Sequence, residues 1–407
     1  MNDGAAVMPP SPLTPPSSPA HTSADLLHML RTALPDLDPA LEAAFLRVER
    51  AHFLPTVPLE QVYQDNAIPI KTTLDGVVVS SSSQPSMMAT MLDQLDLRVG
   101  DNVLEIGAGS GYNAALMHAL VGDQGRVTSV EIDGEVAETA LTNLQRARMG
   151  AVNVVTGDGA QGYALRAAYD RILATAAVWD VPRAWVRQLR PSGRLVVPIA
   201  LDGFQVSAAF VAGRDGSLTS IDNHVCAFVW MQGQLTPVET VRIGGGLYLD
   251  TTFPLDSAAL THLLSDDAED GYLAYTPDHN DLWRGFLPYL ALHLPLDMHI
   301  VSYHSLGRDY GITGTGFGLF TQGSACFLKI GGTHHASNDD ALKIRYFGAA
   351  DTYLTLQDTL SAWVKAGHPD QSRLRVRLIP IDAQPLGTAP GRVYRRRDHL
   401  LQAWLEL

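Results

Sequence analysis

The tightest constraint on this chain is the stretch Val103-Leu104-Glu105-Ile106-Gly107-Ala108-Gly109-Ser110-Gly111, where an apolar run meets three glycines at alternate positions. Glycines there let the backbone turn sharply and approach a ligand with no Cβ in the way. The rest of the first half repeats one rhythm. Short apolar runs at 102–106, 126–132, 153–156, 171–175 and 194–199 alternate with helical windows at 112–121, 135–148 and 183–189. That alternation predicts a parallel sheet with helices on both faces, which puts binding at the carboxyl ends of the strands.

Three of those strand ends carry acidic residues. Glu105 sits inside the glycine loop, where a dinucleotide fingerprint instead turns consecutive amides toward a pyrophosphate. A carboxylate suits a cationic ligand end, the amino group and sulfonium of S-adenosylmethionine. Glu131, 24 positions after Gly107, is placed to accept hydrogen bonds from both ribose hydroxyls, and Asp158 in Gly157-Asp158-Gly159 to accept from an adenine amino group. Alone, Glu131 reads equally well as a solvated strand end and Asp158-Gly159 as a turn. Together, one per consecutive strand, they favour a methyltransferase over a dehydrogenase. The expected cofactor contacts are Glu105, Gly107, Gly109, Ser110, Gly111, Glu131, Asp158 and Gly159, with S-adenosylhomocysteine as product.

The run Ser80-Ser81-Ser82-Ser83-Gln84-Pro85 would by itself read as a flexible linker. It directly precedes a helical window at 87–95 that leads into the glycine loop. The hydroxyls of Ser81, Ser82 and Ser83 are thus candidates to hold a carboxylate beside the methyl group.

A chain of 407 residues, 46% hydrophobic, suggests two or three units. Residues 1–24, rich in Pro, Ser and Thr, read as a disordered tail and not a signal peptide. Residues 25–233 read as the catalytic domain, opened by a helical cap at 25–50 that is interrupted around Pro35 and Pro39. Past the last parallel strand, pieces at 205–211 and 225–231 flank a Gly213-Arg214-Asp215-Gly216 hairpin turn. Residues 234–407, with Gly244-Gly245-Gly246, a glycine-rich stretch at 311–318 and an amphipathic window at 354–364, read as a separate α+β domain. A net charge of −14 argues against a nucleic-acid partner. No apolar run of membrane-spanning length occurs. Cys226 and Cys326 are too few for a disulfide framework and are expected to pack as small apolar groups in a cytoplasmic protein. No metal site is expected: His334 and His335, adjacent on a strand, would point to opposite faces. Arg395-Arg396-Arg397 reads as a solvated face, and Trp363 with Leu354, Leu356 and Leu360 as helix core.

With these residues in place, the chain resembles the protein-L-isoaspartate O-methyltransferases. The match runs from Arg50-Ala51-His52-Phe53-Leu54-Pro55 through Tyr63-Gln64-Asp65, Ser83-Gln84-Pro85, the glycine loop, Ser129-Val130-Glu131, Gly157-Asp158-Gly159, Tyr169-Asp170 and Ala174-Thr175-Ala176-Ala177 to the segment 188–198. The resemblance implies a Rossmann-like class I S-adenosylmethionine methyltransferase acting on a peptide or protein. It implies that Ser83 is the catalytic-site residue touching the acceptor carboxylate and that Ala176 and Ala177 border the peptide. Two departures stand out. Ser81-Ser82-Ser83-Gln84-Pro85 replaces the family's common Thr-Ile-Ser-Gln-Pro, and the chain continues past Gly233, where the repair enzymes usually end. The longer form looks like family members associated with ribosomally made, modified peptides such as lanthipeptides, graspetides and lasso peptides. Those esterify an aspartyl carboxylate in a precursor peptide, giving an aspartimide (succinimide) and then isoaspartate. Repair of isoaspartyl residues in damaged proteins is the alternative, and a non-catalytic module that keeps the cofactor geometry is a third.

Overall fold

Val103, Leu104, Glu105 and Ile106 are all buried, as a parallel strand covered on both faces requires. They belong to a computed structural model that describes residues 22–73, 76–233, 239–251, 255–275, 277–307, 309–331, 342–383 and 390–406. Most of the expected tail, and the pair His334-His335, lie outside those residues. Residues 22–24, expected in the tail, instead start the first helix, Ser23–Ala33, where Thr22 and Asp25 form a reciprocal cap.

A hairpin of β1 (Ile68–Thr72) and β2 (Val78–Ser82) precedes the main sheet. The parallel strands are β3 (Asn102–Ile106), β4 (Arg126–Glu131), β5 (Asn153–Thr156), β6 (Tyr169–Ala174) and β7 (Leu189–Ala200). Antiparallel β8 (Gln205–Ala212) and β9 (Leu218–Cys226) follow, with the expected hairpin turn between them. The second arm starts at Leu218 rather than 225, so most of the expected strand 225–231 lies beyond it. Strand β3 has β4 on one side and β6 on the other, so the chain's winding reverses there. Such a switch point opens a crevice at the carboxyl ends of β3 and β6.

The later strands are β10 (Glu239–Ile243), β11 (Leu247–Thr251), β12 (Glu269–Tyr272), β13 (His299–Ser305), β14 (Gly314–Phe320), β15 (Ser324–Gly331), β16 (Lys343–Gly348), β17 (Leu374–Pro380), β18 (Arg392–Arg395) and β19 (His399–Leu405). The first seven of these form an antiparallel sheet in the order β10-β11-β13-β14-β15-β16-β12, with Gly244-Gly245-Gly246 as its first turn. The expected division at residue 233 does not coincide with the sheets. Strands β17, β18 and β19 return to the main sheet, giving ten strands in the order β18-β19-β17-β9-β8-β7-β6-β3-β4-β5. One apolar core accordingly contains Leu195 and Phe210 together with Phe286, Leu360, Trp363 and Leu374.

Two local expectations need correction. Arg396, read as part of a solvated run, is buried, donates 3.0 Å to the Ala200 carbonyl and lies 4.3 Å from the Trp179 ring centroid. Strand-like alternation leaves Arg395 and Arg397 outside and turns Arg396 in. Leu354 is exposed, whereas Leu356, Leu360 and Trp363 are core residues of the helix Asp351–Lys365. Cys326 is buried and Cys226 half-buried. No helix among the described residues is long and apolar enough to cross a membrane.

Candidate functional site

Two clefts meet at the carboxyl ends of β3, β4 and β6. The first, about 660 Å³, is lined by Ile106, Gly107, Gly109, Val130, Glu131, Ile132, Asp133, Val136, Gly159, Thr175 and Ala176, and walled by Lys71, Val79, Ser80, Ser81 and residues 229–232. The second, about 400 Å³, is lined by Ser81, Ser82, Ser83, Met88, Met91, Gly107, Ala108, Gly109, Ser110, Asn113, Leu173, Thr175 and Phe228. Ser81, Gly107, Gly109 and Thr175 border both, so the glycine loop is the partition between them.

That loop can only be glycine where it turns. Gly107 has φ +98°, and a Cβ there would lie 2.5 Å from the Thr175 Oγ1. Thr175 itself donates from that hydroxyl to the Gly107 carbonyl at 2.8 Å, tying the end of β6 to the loop. Gly111, at φ +85°, opens the helix Tyr112–Val121 against the Ala140 carbonyl. The loop amides of Ala108 and Gly109 donate to Glu131 Oε2 at 3.1 and 3.2 Å, and the Asp133 amide donates to its Oε1 at 3.2 Å. Glu131 therefore lines the first cleft while anchoring the loop that forms its floor.

Glu105 does not reach either cleft. It is fully buried beneath the loop, accepting from Asn113 Nδ2 at 2.8 Å and from the Ser129 hydroxyl at 2.5 Å. Burial pushes its carboxyl up to about 7 despite those two bonds, with the Glu131 charge adding to the rise. The expected direct contact with a cationic ligand end is thus corrected: strand alternation turns Glu105 away from the cleft. Asp158 is also absent from the walls; its side chain caps the turn at Gly159–Gln161 by accepting from the Ala160 amide at 2.9 Å. Gly159 does line the first cleft, backed by Trp185, whose indole donates to its carbonyl at 2.8 Å.

On the acceptor side, Ser81, Ser82, Ser83 and Ser110 come together around the second cleft, the Ser82 and Ser110 hydroxyls being 3.5 Å apart. Ala176 borders the first cleft, but Ala177 is buried. Its backbone instead accepts from Met231 and donates to Val229, both at 2.9 Å, fixing residues 229–231 as a wall. Sequence reasoning missed this wall, together with Thr175 and Lys71. The signal available was the apolar run Phe228-Val229-Trp230-Met231, too unbroken for a half-buried antiparallel strand. Lys71 on the hairpin reaches across the first cleft to Asp133 at 2.5 Å and Glu135 at 2.8 Å. The hydrogen bond to Lys71 holds the Asp133 carboxyl below its usual range. Among the described residues no cluster of potential metal ligands occurs.

The donor set fits S-adenosylmethionine on the structure's own terms: a mixed apolar and acidic slot, a loop a Cβ would fill, and an adjoining hydroxyl-lined cleft. The comparisons agree. Residues 21–236 match the family model described as protein-L-isoaspartate(D-aspartate) O-methyltransferase. The chain is 45% identical over 156 residues to a protein-L-isoaspartate O-methyltransferase of Methanothrix thermoacetophila, covering 38% of this chain and 71% of that protein. It is 39% identical over 202 residues to one of Hyperthermus butylicus, covering 48% and 81%. A solved structure titled protein-L-isoaspartate O-methyltransferase shares the fold over 95% of this chain and all of its own, with TM-score 0.52 and 22% identity. The region past Gly233 therefore has a counterpart in fold in a solved structure of that title. The chain belongs to the protein-L-isoaspartate O-methyltransferase family and is an S-adenosylmethionine-dependent enzyme of that type.

Proposed function

We propose that this enzyme esterifies the side-chain carboxylate of an aspartyl residue in a precursor peptide. The observation that carries the reading is Ser82 on the wall of the second cleft, where the family commonly has isoleucine. An isoaspartyl residue bears its free carboxylate directly on the main chain. An ordinary aspartyl residue holds it one methylene farther out and needs a deeper pocket. Replacing a branched four-carbon side chain by a hydroxymethyl group supplies that depth beside Ser83.

In this reading Ser83, with Ser81, holds the acceptor carboxylate. Gly107, Gly109, Ser110 and Gly111 shape the cofactor's cradle, Glu131 accepts from its ribose, and Gly159 borders its base, with Ala176 on the edge facing the peptide. S-adenosylmethionine supplies the methyl group, and its carbon–sulfur bonding pair stays on sulfur as S-adenosylhomocysteine leaves. A carboxylate is ionised near neutral pH, so the protein needs no general base. Its task is to align the oxygen with the methyl carbon and to exclude water. The hairpin β1–β2 and residues 229–232 wall the clefts for that purpose. Once the ester forms, the next backbone nitrogen attacks its carbonyl, losing its proton as methanol departs, and water opens the resulting succinimide to isoaspartate or aspartate. We assign the reaction to the cytoplasm, where Cys226 and Cys326 stay reduced.

Repair of isoaspartyl residues is the second reading, favoured by the curated relatives, which carry the isoaspartyl name. The segment past Gly233 does not separate the two, since a solved structure of that name aligns over 95% of this chain. The test is mass spectrometry of three peptides incubated with enzyme and cofactor: an isoaspartyl peptide, its aspartyl twin, and a small peptide encoded beside the gene. Gain of a methyl group or loss of water on the encoded aspartyl peptide is expected. Turnover of the isoaspartyl peptide alone would overturn the proposal in favour of repair.

A further inference from the structure

Arg50 is completely buried, and among the described residues no carboxylate lies within ion-pair distance of it. Burial lowers its guanidinium to about 10, so it remains charged at neutral pH. Its donors go to main-chain carbonyls: Gln64 at 3.3 Å, Asn66 at 3.4 Å and Ser83 at 3.1 Å. The guanidinium lies 5.7 Å from the Tyr112 ring centroid, at the start of the helix that leaves the glycine loop. A buried cation spent on neutral carbonyls is an expensive way to fill a core. What it does is fix two loop segments relative to its own, residues 64–66 and the segment that carries Ser83.

Asp65 grips the same turn from its other end. One carboxylate oxygen accepts from the Ser86 amide at 2.8 Å and the other from Gln84 Nε2 at 2.9 Å. Pro85 then starts the helix Pro85–Leu95 and supplies no amide to the turn. Ser83 is thus bracketed by Arg50 on its carbonyl and by Asp65 on the two polar groups that follow. Neither residue lines the second cleft, yet both set the backbone from which the Ser83 side chain emerges.

We infer that Arg50 and Asp65 are positioning residues for the acceptor: acting through the Ser83–Ser86 turn, they aim the Ser83 hydroxyl at the carboxylate to be methylated. This rests on the assignment of Ser83 to the acceptor, and the experiment separates the two. In the full chain, Asp65→Asn, Arg50→Lys, Ser83→Ala and the double variant Ser83→Ala/Asp65→Asn are assayed with the peptide that the enzyme turns over. KM and kcat for the peptide, cofactor affinity by calorimetry and the melting temperature are measured for each. Arg50→Lys keeps the charge and serves where a neutral replacement would fail to fold. The expected result for Asp65→Asn and Arg50→Lys is a rise in peptide KM of about tenfold, with cofactor Kd within about twofold of the parent. In the Ser83→Ala background Asp65→Asn adds little, because the group it aims is gone. An unaltered peptide KM in the two single variants, alongside a raised one in Ser83→Ala, overturns the positioning role alone. So does a full additional loss in the double variant, the signature of a merely structural part. An unchanged peptide KM in Ser83→Ala overturns the assignment of Ser83 itself, and the positioning role with it.

Discussion

Glu105 carries a carboxyl group sealed beneath the glycine loop, where burial raises its pKa from 4.5 to about 7 against the pull of hydrogen bonds from Ser129 and Asn113. The folded state therefore holds this proton more tightly than the unfolded chain does. Between pH 4.5 and 7 the unfolded chain has released it and the folded chain has not. Stability contributed by this group must then fall as pH rises, by about 1.4 kcal/mol per pH unit, and level off above pH 7. Across the window the loss amounts to about 3 kcal/mol, a large share of a typical domain's stability of roughly 5–15 kcal/mol. Glu105→Gln removes the titration while keeping an oxygen that accepts from Asn113. Its amide donates to the Ser129 hydroxyl in place of accepting from it. Urea unfolding followed by tryptophan fluorescence, run on parent and variant at half-unit steps from pH 4.5 to 8.5, checks this. Other titrating groups cancel in the difference. The variant should gain on the parent by about 3 kcal/mol from one end of the range to the other. A difference that stays constant across the range would refute the claim that Glu105 is buried and proton-binding in the fold.

Gly107→Ala places a methyl 2.5 Å from the Thr175 hydroxyl at a φ of +98°, and should weaken cofactor binding at least tenfold by calorimetry, from about 1–3 kcal/mol of backbone strain. Glu131→Ala frees the Ala108, Gly109 and Asp133 amides from their acceptor and removes the proposed ribose acceptor, so cofactor affinity should fall by roughly tenfold or more; unchanged affinity refutes that proposed role. Lys71→Met cuts the strap to Asp133 and Glu135; cofactor dissociation in stopped flow should speed up less than about fivefold, and its dependence on salt should weaken. Asp180→Ala removes the acceptor for the amides of Val181 and Asp398 and for His399 on β19, and should cost about 1–3 kcal/mol in chemical denaturation for each donor left buried. A loss below about 0.5 kcal/mol would show that β19 is not pinned there.

How far the sequence carries is clearest at the strands themselves. Residues 102–106 and 153–156 form strands with the bounds their apolar runs imply, and 112–121 a helix with the bounds of its window. Parallel strands covered on both faces leave continuous apolar runs, and glycine or polar residues mark their ends. The later strands offer no such handle. Leu378 pairs with Leu218, and β19 reaches back to hold Asp180, both across more than 150 positions. Alternation in β17 announces a half-buried strand but not which sheet it joins. A domain boundary drawn at residue 233 therefore separates β17, β18 and β19 from the sheet they complete.

The site divides along the same line. The glycines were readable because the turn demands them; Glu131 was readable as a strand-end residue at the cleft, whereas its hold on the loop amides was not. Glu105 was misassigned although the information was present. Counting by two along β3 groups it with Val103, which packs toward the helix Tyr112–Val121, and not with Leu104 and Ile106, which face the other core. Residue type suggested a ligand contact, whereas periodicity pointed beneath the loop. Arg50 and Asp65 were visible only as parts of a family pattern, since their function lies in carbonyls and amides 14 to 33 positions away. What a motif records as separate pieces, Arg50, Asp65 and Ser83, the fold joins into one bracket around one hydroxyl. For that reason the double variant Ser83→Ala/Asp65→Asn is more informative than either single change: a bracket has consequences for catalysis only through the group it holds.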